Sequence, residues 1–362
     1  MNCYGIDLHT DSFFFVKIDD DNNVESKKVK LDSGDFISFL MGLNKDDYIA
    51  LETCTNGYWF YDQVYDRVKC CFVVNTWKFL DVARSNKKKD KIDALKLAKK
   101  LKFRITMQGD ENDLPTVYVP EKTIRELRSL FTCHDQLKRE RTRLKNRIRS
   151  VFLESEGSYF KELNIFKEIN KKSMLENFTS NVMKVQAELL FETLEYIEKQ
   201  MEKLQNEILK AGSKYYREID ILTSIKGISP FIALGIISDI GDIERFSSAK
   251  KLSSYLRAAP VIRESNNRTK IGSVNKCSRK VSLTLLTQPL HHAYRSSMYL
   301  LDFYERKKIT RNVGRARIAV AHKIITAIYH MLKEQKYFYW MDDKNHNKKM
   351  AVYNSFLKKQ TA

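Results

Sequence analysis

Residues 1–18, MNCYGIDLHTDSFFFVKI, contain two short runs of apolar side chains separated by a polar turn. The runs cover residues 2–7 and 12–18, and the turn between them covers residues 8–11. Two strand-like runs joined by so short a polar segment predict a β-hairpin at the start of the chain. The first strand of that hairpin would end at an acidic residue, Asp7.

Strand and helix signals alternate through the rest of the first hundred residues. Strands are predicted at 48–52 and 68–75, and helices at 36–43, 56–67 and 89–101. A hairpin followed by strand–helix units is typical of a ribonuclease-H-like α/β fold, which we predict for residues 1–104. Ligands of open α/β sheets tend to bind at the carboxyl ends of the strands.

Four acidic residues fall where such a fold would bring them to one edge of the sheet. Asp7 ends the first strand, Glu52 follows another apolar run, and Asp90 and Asp93 share one face of a predicted helix. Carboxylate oxygens suit a hard cation, Mg²⁺ or Mn²⁺. Two such ions about 4 Å apart can clamp the attacking and leaving oxygens of a phosphodiester. The four acids therefore predict a metal-dependent phosphoryl-transfer site acting on nucleic acid.

His9 follows Asp7 by two residues and could reach the same edge. A lone histidine is more often structural or a nucleic-acid contact than a catalytic group. We therefore assign His9 no catalytic role from the sequence.

The charge balance favours a polyanionic partner. The 362 residues include 64 Lys and Arg against 45 Asp and Glu, a formal net charge of +19. Such an excess favours salt-sensitive binding to nucleic acid. A lysine-rich chain from an AT-biased genome would have the same balance, so charge alone is weak evidence.

The cysteines and the hydropathy pattern predict a cytoplasmic protein with no membrane partner. The six cysteines have no metal-ligand spacing and mostly lie in apolar runs, which we interpret as reduced core thiols. No signal peptide opens the chain, and no apolar run is long enough to span a bilayer.

Residues 105–120 are predicted to be a linker, and residues 121–216 a long helical coiled-coil region that breaks near Gly157. The first helix repeats an apolar residue every seven positions, and the second alternates spacings of four and three. The two series are Leu130, Leu137, Leu144 and Val151, then Leu190, Leu194, Ile197, Met201, Leu204 and Ile208. They predict either an antiparallel hairpin or a homo-oligomer, a dimer or tetramer, and we favour the oligomer.

The first of these helices is strongly basic. Residues 138–149, KRERTRLKNRIR, contain seven Lys or Arg, with Glu140 as the only acid. A charge run is usually a solvated helix face, but the near absence of acids favours a nucleic-acid surface. The candidate contacts are Lys138, Arg139, Arg141, Arg143, Lys145, Arg147 and Arg149.

Residues 217–340 are predicted to form a mostly α-helical domain, followed by a tail at 341–362. Residues 221–241 are typical of two helices joined by a tight turn, in which Lys226 and Gly227 could approach a phosphate and Pro230 opens the second helix. A helix-hairpin-helix and an ordinary αα-hairpin fit this pattern equally well. A basic loop is predicted at 263–280 and a closing helix at 311–333. The loop's candidate nucleic-acid contacts are Arg263, Arg268, Lys270 and Lys276.

Several of these motifs together resemble one family. The family pattern G-x-D is matched at residues 5–7, E-x-T/C-x-x-G-Y-W at 52–59, V-N at 74–75 and K-x-D-x-x-D-A at 88–94. The resemblance continues through LTSIKGISPFIALGIISDIGDIERFSSAKKLSSYL, residues 222–256. The chain resembles the DEDD-type transposases of the insertion-sequence family called "IS one-ten", whose relatives include the Piv-type DNA invertases.

The resemblance implies a bridge-RNA-guided serine recombinase. The acidic tetrad and its Mg²⁺ would lie in a RuvC-like domain, and a serine of the C-terminal domain would form a phosphoserine link to DNA. Matched by motif, that serine is Ser265, five residues after Pro260. The implied partners are donor and target DNA, a structured guide RNA, and another subunit whose tetrad activates the serine.

The chain departs from the family pattern around that serine. The family's Ser-Gly pair is Ser265-Asn266 here, and its Lys-x-Gly is replaced by residues 276–278. Ser273 and Ser278 are therefore alternative nucleophiles. A RuvC-like nuclease or resolvase, in which the tetrad activates water, is the second hypothesis, and a non-catalytic nucleic-acid-binding remnant is the third.

Overall fold

The computed structural model describes residues 1–75, 78–79, 90–107, 109, 113–157, 164–265, 268–274, 281–310 and 312–361. For residues 260–265, 268–274 and 361 it describes the backbone only. The chain divides into two compact units, Met1–Val119 and Pro120–Ala362.

The first unit is built on a mixed β-sheet. Its elements are β1 (Cys3–Leu8), β2 (Ser12–Ile18), β3 (Val24–Lys30), α1 (Gly34–Met41), β4 (Tyr48–Glu52), α2 (Gly57–Val64), β5 (Cys70–Val74), α3 (Asp90–Thr106) and β6 (Thr116–Val117). The six described strands lie in the order β3-β2-β1-β4-β5-β6. Strands β1, β4 and β5 are parallel, and the other neighbouring pairs are antiparallel. This mixed sheet fits a RuvC-like DEDD domain.

The two faces of the sheet pack against different helices. Tyr4, Ile6 and Leu8 of β1 belong to a core that also contains Phe36 of α1 and Phe60 of α2. The alternate residues of β1 point the other way, because successive side chains of a strand lie on opposite faces. On that opposite face, Cys3 of β1 and Ala50 of β4 pack with Leu97 and Leu101 of α3.

The sequence predicted most of this unit. The hairpin, the strands at 48–52 and 68–75 and the helix carrying Asp90 are confirmed, with boundaries shifted by a few residues and with a 3₁₀ turn at Tyr65–Arg67. Strand β3 was missed, because VESKKVK is polar and mostly exposed at the edge of the sheet. Lysines on an edge strand prevent pairing with other chains, so such a strand lacks the alternating apolar pattern.

The second unit is mostly helical. Its elements are α4 (Lys122–Glu156), α5 (Glu168–Glu176), α6 (Asn181–Ala211), α7 (Tyr216–Thr223), α8 (Pro230–Ile240), α9 (Ala249–Tyr255), β7 (Pro260–Ser265), β8 (Arg268–Val274), α10 (Val281–Thr287), α11 (Leu290–Tyr294), α12 (Met298–Thr310), α13 (Val313–Glu334) and α14 (Asp343–Thr361). Helix α4 ends at Glu156, and the next residue, Gly157, has a φ of +62°, a conformation that favours glycine.

Helices α4 and α6 pack against each other within the chain. Ile148 and Phe152 of α4 share a core with Phe191 and Leu194 of α6. At the other end of the pair, Leu127 of α4 lies in one core with Ile208 of α6. This is the antiparallel hairpin that the heptad pattern allowed as the alternative to an oligomer. The oligomer stays a prediction.

Two other parts of the second unit differ from the sequence-based expectation. The segment expected to be a loop at 263–280 begins as a β-hairpin, in which β7 and β8 are antiparallel. The segment expected to be a tail contains α14, whose Met350 and Tyr353 are buried in the main core of this unit. The closing helix predicted at 311–333 corresponds to α13.

The cysteine interpretation was partly wrong. Cys3 and Cys71 are buried, but Cys54 and Cys133 are exposed. Cys277 lies outside the described residues. Among the helices that the structure describes, none has the length and apolar character to cross a membrane.

Candidate metal centre

Asp7 and Glu52 lie at neighbouring positions at the carboxyl ends of two central strands, which is the side of the sheet where the candidate site lies. Strands β1 and β4 are parallel, with Gly5 opposite Ala50 and Ile6 opposite Leu51. The next residue of each strand is an acid. Ile6 and Leu51 face the core that contains α1 and α2. Successive side chains of a strand lie on opposite faces, so Asp7 and Glu52 lie on the α3 face of the sheet.

Helix α3 supplies the other two acids of the tetrad. Asp90 and Asp93 lie in its first turn, where the helix dipole favours negative charge. The helix approaches β1 closely because Gly5 has no side chain. A Cβ on Gly5 would lie closer than 3.0 Å to two backbone atoms of α3, the Ala94 carbonyl oxygen and the Ala98 amide nitrogen. The family motif G-x-D therefore has a packing reason for its glycine and a chemical reason for its acid.

His9 joins Asp7 and Asp90 at the centre of the site. Its Nε2 atom is 3.5 Å from Asp7 Oδ2 and 3.3 Å from Asp90 Oδ2. One ligand atom from each of these three residues lies within 4.8 Å of the other two. Neighbouring ligand atoms of one six-coordinate ion, each about 2.1 Å from it, are about 3 Å apart. The three groups are therefore close enough together to share one cation.

Electrostatics at Asp7 favour a cation. Burial raises the pKa of its carboxyl above the ordinary value, His9 opposes that rise, and the charges of Asp90 and Asp93 add to it. Carboxylates that repel one another in a partly buried site are stabilised by a bound metal ion. Glu52 and Asp7 also both raise the pKa of Cys54, after burial as the main cause. All four acids therefore place negative charge in the same small region of the protein.

Asp93 provides a second observation that fits a metal ion. Its Oδ1 atom is buried, and no described residue donates a hydrogen bond to it. Lys96 Nζ lies 3.6 Å away, which is an ion pair rather than a hydrogen bond. A buried carboxylate oxygen without a donor is costly unless a cation meets it. The residues present therefore fit a divalent cation with oxygen ligands.

The sequence allowed His9 to reach Asp7 but did not predict its contact with Asp90, because that contact depends on the packing of α3. Its backbone is held in the turn between β1 and β2, where His9 N donates to Ser12 O at 2.9 Å. Asn56 Nδ2 donates to His9 O at 2.8 Å, which links the turn to the segment after Glu52. The available signal was the position of His9 two residues after Asp7, at the end of a strand.

The predicted nucleic-acid residues of α4 are largely exposed. Arg139, Arg143, Arg147 and Arg149 are exposed, while Lys138, Arg141 and Lys145 are half-buried. Ion pairs join Arg139 to Asp135, Arg143 to Glu140 and Lys145 to Glu198, at 2.6, 2.5 and 2.9 Å. Exposed pairs of this kind contribute little energy, so a phosphate can compete for the same side chains.

The turn between α7 and α8 has a structural reason for its glycine. Gly227 has a φ of +91°, and a Cβ there would lie 3.0 Å from Pro289 and His292 of the same chain. Lys226 Nζ lies 3.6 Å from Asp342 Oδ2. The contact of Lys226 and Gly227 with a phosphate stays a prediction.

The region of the predicted nucleophile is described by its backbone only. Ser265 is the last residue of β7 and pairs with Arg268 of β8, and Arg263 pairs with Lys270. Their side chains, and the whole of Lys276, lie outside the described residues. The roles of these residues remain predictions.

Two protein-family models match the chain. The model for DEDD transposases of the IS110 type, described as "Transposase", matches residues 4–155. The model described as "Transposase IS116/IS110/IS902 family" matches residues 219–305. The first match contains β1, β4 and α3 with the acidic tetrad, and the second contains Ser265.

A curated relative has the same kind of name. The transposase for insertion sequence element IS1111A of Coxiella burnetii is 28% identical over 138 residues. The match covers 36% of this chain and 37% of the relative, so the chain spans little more than a third of that relative's length. By its two matched domains, the chain belongs to the IS110 family of insertion-sequence transposases.

Proposed function

We propose that the chain is the transposase of an insertion sequence, and that it exchanges DNA strands through a phosphoserine intermediate. The observation that carries this proposal is the meeting of Asp7, His9 and Asp90 at the edge of the sheet, next to the buried carboxylate of Asp93. Both matched family models are transposase models, and the net charge of +19 suits nucleic-acid partners.

The tetrad, Asp7, Glu52, Asp90 and Asp93, would hold Mg²⁺ or Mn²⁺, with His9 beside it. A divalent cation bound there supplies Lewis-acid stabilisation of charge on phosphodiester oxygens. The carboxylates would hold that ion at the carboxyl ends of the strands, and the packing of α3 against β1 keeps them in place. A site built on a strand and a helix is held more firmly than one on a loop.

Ser265 would be the nucleophile. A serine hydroxyl is weak until a neighbouring group removes its proton. In the proposed step, a bond forms between Ser265 Oγ and phosphorus, one phosphodiester P–O bond breaks, and the leaving oxygen takes up a proton. The phosphoserine conserves the energy of the broken bond, so that a second DNA strand can displace the serine. Arg263, Arg268 and Lys270 neighbour Ser265 along the β7–β8 hairpin and are suited to neutralise the phosphate.

The proposed partners are donor and target DNA, a structured guide RNA and further copies of the chain. The exposed arginines of α4 support a contact with a phosphate backbone, because they offer several charges along one helix. A guide RNA is the finer part of the proposal, and the family resemblance motivates it. This part is tested by sequencing the RNA that copurifies with the unmutated protein and comparing it with the RNA that copurifies with an Arg143→Gln and Arg147→Gln double variant.

The second candidate function is a RuvC-like nuclease or resolvase. The site at the edge of the sheet favours it equally, because the same carboxylates can position a water molecule for hydrolysis. In this candidate Ser265 only contacts DNA, and no covalent intermediate forms.

Covalent trapping separates the two functions. The full-length protein is incubated with end-labelled donor DNA and Mg²⁺, and denaturing gels are searched for a protein–DNA adduct. The recombinase predicts an adduct from the unmutated protein, none from Ser265→Ala, and none from Asp93→Asn. Metal-dependent nicking without an adduct would establish the nuclease. An adduct that persists in Ser265→Ala would move the nucleophile to Ser273 or Ser278.

A further inference from the structure

Three backbone carbonyls of the turn between α7 and α8 converge on one ammonium group. Lys349 Nζ donates to the carbonyl oxygens of Thr223, Ile225 and Ile228, the last two at 3.1 and 3.0 Å. The donor comes from α14, and all three acceptors lie within six consecutive residues. Each of the three N–H bonds of the ammonium can therefore meet a main-chain oxygen.

A positive charge suits carbonyls in this arrangement. The last carbonyls of a helix have no donor within the helix, so those at the end of α7 require an outside partner. Several backbone carbonyls that converge on one point can replace the hydration shell of K⁺. An ammonium group and K⁺ both carry one positive charge, so either could satisfy the same oxygens.

The ammonium group of Lys349 is half-buried, so the carbonyls replace part of the water that would otherwise surround it. Burial lowers the pKa of Lys349 to about 8, and the negative charge of Asp342 opposes that shift. A buried charge is tolerated only when it is hydrogen-bonded or paired. The carbonyls of the turn provide those hydrogen bonds.

Other contacts of α14 fix Lys349 in register with the turn. His346 Nε2 is 3.0 Å from Asp220 Oδ1 of α7. Tyr353 Oη donates to Leu209 O at 3.1 Å. These contacts lie three residues before and four residues after Lys349, on the same face of the helix. The ammonium is therefore delivered to the carbonyls by a docked helix.

We propose that the turn at residues 223–228 is a monovalent-cation site whose ion is replaced by the tethered ammonium of Lys349. The turn then keeps its shape whatever cation the solution contains. The same group joins α14 to the α7–α8 hairpin. A cavity of about 590 Å³, lined by Lys349 together with Ser229 and Pro230, gives solvent ions a route to the site once the lysine is shortened.

The test removes the tethered cation and offers a free one. Thermal unfolding of the full-length protein is measured for Lys349→Ala in KCl and in tetramethylammonium chloride at equal ionic strength. With K⁺ at ten times its dissociation constant, the unfolding equilibrium shifts about 11-fold, which raises Tm by roughly 3–6 °C. The unmutated protein should have the same Tm in both salts.

Two further variants serve as controls. Lys348→Ala removes an exposed lysine that lines the same cavity, so its Tm should not depend on the choice of salt. Lys349→Met keeps most of the stem in place and should lose stability without any response to K⁺, because the side chain blocks the site.

The outcomes are distinct. A saturable K⁺ response in Lys349→Ala alone supports the proposal. The proposal would be overturned if the difference in Tm between KCl and tetramethylammonium chloride were the same for Lys349→Ala as for the unmutated protein. If Lys349→Ala is unfolded in tetramethylammonium chloride, recovery of a folded circular-dichroism spectrum on adding KCl supports the proposal, and failure to recover in KCl contradicts it.

Discussion

Replacing Gly5 with alanine should disrupt the candidate metal centre without touching any of its ligands. The added Cβ would overlap the backbone of α3 at Ala94 and Ala98 and would lie 3.0 Å from Leu97 Cβ. Ordinary contact between carbon atoms is about 3.5–4.0 Å, so α3 must move by about 1 Å. Overpacking of this kind costs about 1–3 kcal/mol of stability. A displacement of about 1 Å in a catalytic group can reduce a rate by about 10²-fold.

Two assays on purified protein measure these effects. Urea unfolding gives the loss of stability, and the yield of DNA adduct or nicked product gives the loss of activity. The matched control is Gly34→Ala at the start of α1, where a Cβ would meet no atom within 4 Å. Gly34→Ala should keep both stability and activity. If Gly5→Ala behaves like Gly34→Ala, α3 does not depend on the close approach to β1, and the packing account of the G-x-D motif is wrong.

Three further predictions concern charged residues. Replacing Arg141 and Arg147 with Gln should weaken binding to all nucleic-acid sequences and flatten its salt dependence. Each phosphate that the protein no longer neutralises reduces the slope of log affinity against log salt concentration by about 0.7–0.9. An unchanged slope in a filter-binding titration would leave α4 as a solvated face. Arg128 donates to Ser238 O and Asp239 O at 2.7 and 3.0 Å. Arg128→Met should therefore cost about 1–3 kcal/mol in urea unfolding, and an unshifted midpoint would refute that role. Because the pKa of Asp7 is raised, the native state binds the carboxyl proton of Asp7 more tightly than the unfolded state does. The protonated carboxyl therefore stabilises the fold below the ordinary carboxyl pKa, and this stabilisation is lost as pH rises through the raised pKa. Asp7→Asn should thus raise Tm of the metal-free protein at pH 7 by more than at pH 4, and an equal change at both pH values would contradict the argument.

The sheet and its acids could be predicted because their signals are local. Burial of these strands is visible in the sequence itself, as alternating apolar residues in β1 and β2 and as continuous apolar runs in β4 and β5. Once the strands are parallel, the carboxyl ends of β1 and β4 must meet at one edge, and Asp7 and Glu52 follow. The helical spacing of Asp90 and Asp93 completes the set.

The elements that escaped prediction are stabilised by partners far away in the sequence. Strand β3 and the β7–β8 hairpin are polar, so their strand character comes from pairing rather than from an apolar pattern. Helix α14 looks like a polar tail in the sequence, but His346 is buried beside Asp220 of α7, and the half-buried Lys349 donates to the turn after α7. His9 likewise gains its place only when α3 packs on β1.

Binding of Mn²⁺ to the metal-free, full-length protein tests the central claim most directly. Electron paramagnetic resonance detects free Mn²⁺ during a titration at pH 7, and the unmutated protein is compared with Asp90→Asn and with Lys91→Gln, a neighbouring change on α3. The account predicts saturable binding that Asp90→Asn weakens by at least about tenfold and Lys91→Gln leaves within about twofold, since removal of one charged ligand costs on the order of 1.4 kcal/mol or more. Equal affinity of the unmutated protein and Asp90→Asn would show that the acids at the edge of the sheet do not form the metal site.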